Sequence, residues 1–239
     1  LEAWLERKPP PPRAPVARPP APSSIAGGHA MKTAQNRPYD RLTPEDALVL
    51  FIDHQAGLTS LVRDQSPTEF HNNVLALADT ALLFDLPVIL TTSFERGPNG
   101  PLLPELRDRF PRAPYIARPG EINAWDNPDF VQLVRASGRR QLIVAGIVTD
   151  VCVAFPVLSA LQEGFQVFAV TDASGTFDES VRDVALMRMA LAGAELINWF
   201  AVASELMVDW RRDTPGLARL LAQHLPQYAA LIASHDARG

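Results

Sequence analysis

Residues 141–164 read QLIVAGIVTDVCVAFPVLSALQEG. Leu142, Ile143, Val144 and Ala145 form a short unbroken apolar run, the pattern of a parallel strand buried on both faces. Gly146 ends it. Thr149 and Asp150 are good helix N-cap residues, and Ala154, Leu158 and Leu161 continue at helical spacing towards a stop near Gly164. The stretch therefore predicts a strand, a tight turn and a helix, with Cys152 in the first helical turn just beyond the strand end. A helix N-terminus carries partial positive charge and unpaired N–H groups. A thiol there is expected to be biased toward thiolate, the nucleophilic form, and the same N–H groups could hold an oxyanion. Cys152 is the only cysteine in the chain. A lone cysteine is also commonly just a small buried apolar residue, so its meaning depends on its company.

Working outward, the same alternation recurs. Residues 48–52 (LVLFI) read as a buried strand ending at Asp53, and residues 88–92 (VILTT) as a second. Between them, Val74, Leu77, Ala78 and Ala81 predict a helix over residues 72–84. A Pro- and Gly-rich loop is expected from Arg96 to about Pro114. Residues 115–117 predict a short strand ending at Arg118, and residues 128–137 a helix. Beyond the central stretch come a strand over 165–170, a helix over 180–192, a short strand over 195–198 and a helix over 202–210. One or two further helices are expected between 216 and 234. No internal repeat is present. Strands alternating with helices imply βαβ units: an α/β fold with a mostly parallel sheet and helices on both faces, three layers in all. In such folds ligands bind beyond the carboxyl ends of the strands. Asp53, Arg118 and Cys152 all fall at such ends. Taken singly, the first reads as a turn or cap residue and the second as a surface charge.

The 239 residues suit one large α/β domain or two small ones, and at 47% hydrophobic they can bury a sizeable core. A formal net charge of −5 argues against nucleic acid or an anionic membrane as the main partner. A single cysteine cannot form an internal disulfide, so a cytoplasmic setting is expected. No apolar run approaches the roughly 20 residues of a membrane span. Residues 1–30 differ from the rest: Pro9 to Pro12, Pro15, Pro19, Pro20 and Pro22 are mixed with Ala, Ser and Arg. Such a segment favours solvated, extended backbone, and it lacks the apolar core of a secretory signal. The expectation is a disordered, non-native leader (residues 1–30) before a natural start at Met31 and a domain over 31–239; a Pro-rich binding tail is the alternative.

Three motifs carry a resemblance. FIDHQAG (51–57), ARPGEINAWDN (117–127) and AGIVTDVCVAFP (145–156), with VTDASGTF (170–177), resemble the isochorismatase-like cysteine hydrolases, most closely their YcaC group, from about Tyr39 to Ser234. The resemblance implies a six-stranded parallel sheet in the order 3-2-1-4-5-6 and a catalytic triad of Asp53, Arg118 and Cys152. It also implies a cis peptide before Thr149, aiming backbone N–H groups around Val148, Thr149 and Cys152 at an oxyanion. Many relatives carry lysine at the second triad position; an arginine cannot carry a proton near neutral pH. The implied chemistry is attack by Cys152 sulfur on a carbonyl, with Asp53 as general base and a thioester intermediate. Nicotinamidases of the superfamily hold a metal through histidines after the second strand, where this chain has TTSFE (91–95). The five histidines, His29, His54, His71, His224 and His235, show no metal-ligand spacing, so no metal or cofactor is expected. The His54 side chain should point away from the strand-end carboxylate. Isochorismatases proper lack the cysteine, which argues against vinyl-ether hydrolysis.

The same motifs supply Gln55, Phe94, Ile122, Asn123, Trp125 and Phe155 as candidate substrate-binding residues, with Trp125 able to stack on a flat substrate or to pack in a core or interface. Trp4, in the leader, has no assigned role, and Trp199 and Trp210 read as packing. Three functions compete: a metal-free hydrolase of a small amide or related C–N bond, a thiol-based redox or small-ligand-binding protein, and a structural component of a homo-oligomer. Removing residues 1–30 is expected to leave the thermal midpoint and oligomer size unchanged; a clear fall in either would show that the segment is structural.

Overall fold

The computed structural model describes residues 39–237, so the leader, with Trp4, His29 and Met31, lies outside the described residues. Six strands run in chain order: β1 (Ala47–Ile52), β2 (Val88–Ser93), β3 (Tyr115–Arg118), β4 (Gln141–Gly146), β5 (Gln166–Val170) and β6 (Glu195–Ile197). They form one sheet in the order β3-β2-β1-β4-β5-β6 with every pairing parallel. The order reverses between β1 and β4, the position at which such sheets open a crevice at their carboxyl ends.

The strands are apolar on both sides because both sides are covered. Ala47, Val49 and Phe51 of β1, Ile143 and Ala145 of β4, and Phe168 and Val170 of β5 enter one core. After the short α1 (Ala56–Thr59), it is closed by α2 (Pro67–Leu83), α7 (Trp199–Met207) and α8 (Thr214–His224) through Phe70, Leu77, Trp199 and Leu221. The intervening residues, Leu48, Leu50, Ile52, Leu142, Val144 and Val167, enter a second core with Phe130 of α4 (Pro128–Ala136), Val157 of α5 (Ala154–Gln162) and Met189 of α6 (Glu179–Ala192). Period-two alternation thus divides each strand between two layers.

Most helix starts follow from local chemistry. Ser66 accepts from Glu69 N–H and donates its hydroxyl to the Glu69 carboxylate, with Pro67 at the first helical position. This cap starts α2 five residues before the helix that apolar spacing predicts. Asn127, Asp178, Asn198 and Asp213 cap α4, α6, α7 and α8 in the same way. The cap at Asn198 moves the start of α7 to Trp199, ahead of the expected position. The loop expected over 96–114 contains α3 (Pro104–Arg109), anchored by Leu106 in the core and by the Arg109–Asp79 ion pair. The tail forms α8 and α9 (Pro226–Asp236). His224, at the end of α8, bonds Asp79 of α2 at 2.8 Å and Asn72 at 3.0 Å, tying the tail to the body.

Gly146 ends β4 opposite Ile52, where a Cβ would lie 2.4 Å from the Ile52 carbonyl oxygen. Backbone cannot yield as a flexible side chain does, so Gly146→Ala is expected to destabilise by about 1–3 kcal/mol. Denaturant unfolding measures this; an unchanged midpoint would show that β1 and β4 separate freely.

Candidate active site

Three strand ends build the site. β1 ends at Asp53, whose backbone turns into the left-handed region at φ 58° while its N–H still donates to Thr91 O at 2.9 Å. A non-glycine residue there is uncommon and costs about 1–3 kcal/mol; it takes the carboxylate out of the strand's alternation. β2 ends likewise, with Phe94 at φ 52°. Arg118 closes the edge strand β3 and reaches across β2. Its Nε donates to Thr91 Oγ1 at 3.0 Å, Nη1 to the carbonyls of Glu121 and Ile122, and Nη2 to Asp53 Oδ1. Neither side chain of the Arg118–Asp53 pair is exposed.

Cys152 follows β4 and is partly buried. Asp53 Oδ2 has no hydrogen-bond partner of normal geometry, yet the thiol stands close enough to the carboxylate to feel its charge and a hydrogen-bonding influence. Burial above all, then Asp53, pushes the thiol well above the ordinary cysteine range, against the opposing pull of the Val148 N–H and Arg118. Asp53 itself is raised from the usual carboxylate range by burial, with Arg118 and then Cys152 opposing. The thiolate expected from the helix N-terminus is therefore corrected: desolvation and a neighbouring carboxylate outweigh the N–H groups and the guanidinium.

The turn also differs from expectation. Residues Thr149–Val153 form a π-turn before α5, and neither Thr149 nor Asp150 caps a helix with its side chain. Both are held instead by the loop after β5. Thr149 N–H donates to Gly175 O at 3.1 Å, and Asp150 Oδ1 accepts from the Thr176 hydroxyl at 2.8 Å. Thr149 N–H is thus committed to the backbone and is corrected as an oxyanion donor. The cis peptide joins Ile147 and Val148, one bond earlier than the resemblance implies, since Ile147 still pairs with Gly175 and the chain leaves the sheet at the next bond.

The expected pocket residues scatter. Gln55 is fully buried; its Oε1 accepts from Ser93 N–H at 2.9 Å and its Nε2 donates to the carbonyls of Ser93 and Gly100. With its amide filled by backbone, it fastens the β1 end to the loop after β2 and is not a free substrate contact. Asn123 accepts from Trp125 N–H and donates to Ser159 Oγ, so it too is engaged. Trp125 donates to Glu163 at 2.8 Å, packs edge-on against Phe130 and Phe165, and borders a cavity of about 780 Å³ that includes none of Asp53, Arg118 and Cys152. Packing, not substrate stacking, explains it. Phe155 packs against the second core with Arg188 5.5 Å from its ring centre. Phe94 and Ile122 keep exposed side chains beside the backbone that surrounds Arg118. His54 points away: it bonds Ala173 O at 3.0 Å and packs between Phe51 and Phe70, and burial lowers its pKa to about 4. Sequence reasoning missed Thr91, which accepts from Arg118 while donating to Ile116 O at 2.8 Å. Among the described residues no group of three or more His, Cys, Asp or Glu side chains is arranged to hold a metal.

The isochorismatase domain family matches residues 47–200. The chain belongs to the isochorismatase family. It is 63% identical over 200 residues to "Probable hydrolase YcaC" of Escherichia coli (strain K12), a match covering 84% of this chain and 96% of the relative. The solved structure of YcaC from Pseudomonas aeruginosa, with hexane-2,5-diol and covalent acrylamide, matches at a TM-score of 0.83 and 67% identity, over 84% of this chain and all (100%) of that one. The Escherichia coli YcaC crystal structure, described as an octameric hydrolase of unknown specificity, matches at a TM-score of 0.84 and 62% identity, over 85% and 100% of the two chains.

Because thiolate is the reactive form, a raised thiol makes Cys152 slow to alkylate. Iodoacetamide at pH 7 should modify it more slowly than an exposed cysteine, with the rate still climbing beyond about pH 9. Asp53→Asn removes the charge that opposes thiolate and leaves Arg118 beside the sulfur, so alkylation near neutral pH should accelerate. A slower Asp53→Asn variant would show that Asp53 does not raise the thiol.

Proposed function

We propose that the chain is a metal-free cysteine hydrolase that cleaves a small amide or related C–N bond through a thioester. The observation that carries this reading is the fully buried Asp53–Arg118 pair set against the chain's single thiol. A raised carboxylate is a better proton acceptor than an ordinary aspartate, and a protonated thiol needs one. Asp53 takes the thiol proton as Sγ attacks the substrate carbonyl. The N–H groups of Val148 and Cys152 hold the oxyanion of the tetrahedral intermediate. Protonated Asp53 then gives its proton to the departing nitrogen, leaving a thioester. Water, deprotonated by Asp53, releases the acid and frees the thiol. Arg118, with its donors committed to Asp53, Thr91 and two carbonyls, orients the carboxylate and balances its charge without exchanging protons.

The metal-free reading is supported by the donor set: the carboxylate beside the thiol, Asp53, already binds a guanidinium. The octameric Escherichia coli relative supports a homo-oligomer, for which Val184, Met187 and Leu191 of α6 offer an exposed apolar stripe. A small-molecule substrate, no nucleic-acid or membrane partner, and a reducing cytoplasm that keeps the thiol free complete the proposal. The redox alternative is weakened, because sensor thiols are of low pKa, whereas burial and Asp53 push the Cys152 thiol up.

Ammonia release from a panel of small amides tests this. Cys152→Ala should abolish turnover, Asp53→Asn should lower it by about 10²–10⁴-fold, and chelators should leave it unchanged. Near wild-type turnover by Asp53→Asn would overturn the triad, and zinc-reversible inactivation would overturn the metal-free reading.

A further inference from the structure

The loop between β5 and α6 is bonded to the cysteine turn on one side and to the body of the protein on the other. On the first side, Gly175 N–H donates to Gly146 O at 3.2 Å, Thr149 N–H to Gly175 O at 3.1 Å, and Gly146 N–H to Ser174 Oγ at 3.3 Å. On the second, Thr176 N–H donates to Asp64 Oδ1 at 2.9 Å, Arg63 N–H to Thr176 O at 2.8 Å, and Gln65 Nε2 to Ser174 O at 2.6 Å. Gly175 has no room for a side chain, since a Cβ would meet Val62 at 2.7 Å.

Thr176 lies between these two sets. It is fully buried, and its hydroxyl makes the side-chain bond from this loop into the π-turn, donating to Asp150 Oδ1 at 2.8 Å. Asp150 stands midway between Val148 and Cys152, two residues from each. A residue that fixes Asp150 therefore fixes the rotation of the turn carrying both the nucleophile and its donors. The bond also holds a second carboxylate in place. The charges that shift the thiol are those of Asp53 and Arg118, and Asp150 is not among them. With the hydroxyl removed, nothing in this contact keeps that carboxylate from turning.

We propose that Thr176 is a positioning residue for the Cys152 reaction, acting through its hydrogen bond to Asp150 on the turn that presents the thiol. The proposal deepens the cysteine-hydrolase reading and rests on it for its meaning in turnover, but its geometry is read through the thiol alone. Misplacement by about 1 Å can cost up to about 10²-fold in rate, so a loosened turn should be visible kinetically without unfolding.

The test uses acrylamide as probe, with Cys152 alkylation followed by intact mass against pH in the full chain, beside thermal midpoints and small-amide turnover. Thr176→Val should slow alkylation about tenfold and displace its pH profile. Thr176→Ser, which keeps the hydroxyl, should restore both. Asp150→Ala should match Thr176→Val in rate while keeping the wild-type pH profile, since it leaves no carboxylate to turn, and the double variant should be no slower than either, because both remove the same bond. If Thr176→Val lowers the thermal midpoint sharply, the Thr176→Ser and Asp150→Ala arms decide. A wild-type alkylation rate in Asp150→Ala, or failure of Thr176→Ser to restore the rate and profile lost in Thr176→Val, would overturn the proposal. Absence of any amide turnover by the wild type would overturn the hydrolase reading while leaving the alkylation result to judge Thr176.

Discussion

Arg118 and Asp53 meet with no exposed surface on either side chain. Removing two charges from water carries a penalty of several kcal/mol per ion, offset only where the geometry is good and the remaining donors are filled. Here they are: Thr91 and the carbonyls of Glu121 and Ile122 take the rest of the guanidinium. The contact requires three neighbouring strand ends in one register, with Ile52 opposite Thr91 and Ser93 opposite Arg118. It also requires the left-handed backbone that takes Asp53 out of its strand's alternation. The order β3-β2-β1 is thus a condition for the pair, because the arginine comes from the edge and must cross β2 to reach β1.

The same burial governs the thiol. In water a helix start and a nearby arginine would favour thiolate; in this site the loss of solvent and the Asp53 charge win, and the sulfur rests protonated. In the hydrolysis we propose, Asp53 is then an acceptor placed beside a thiol that has something to give, and proton transfer is coupled to attack. The raised thiol also separates the site from a redox sensor, whose thiol must ionise unaided. The turn that presents the sulfur is held mainly by the loop after β5, through Gly175 and Thr176. The carboxyl end of β4 is therefore shaped by a segment more than twenty residues further along the chain.

Much of this was legible in the residues. Unbroken apolar runs such as LVLFI and LIVAG could only be strands covered on both faces, and their alternation with helices implied a parallel sheet with its site at the carboxyl ends. Asp53, Arg118 and Cys152 stood out because each follows such a run, and the motifs around them named the family and the strand order. Local chemistry sets the helix starts too: the Ser66 cap begins a helix five residues ahead of its apolar periodicity. What tertiary structure alone decided was where polar groups find partners. Gln55, Asn123 and Trp125 look in sequence like ligand contacts. In the fold their hydrogen-bonding groups are taken by Ser93 and Gly100, by Ser159 and by Glu163, residues 36 to 45 positions away. Thr149 and Asp150 are helix caps by type and become anchors to Gly175 and Thr176 by location. The charge state of Cys152 follows the same rule, since a local sequence shows a helix start but not the depth of burial or the carboxylate beside it. Patterns along a chain encode which surfaces must be covered; partners, solvent access and electrostatic balance exist only once distant segments have met.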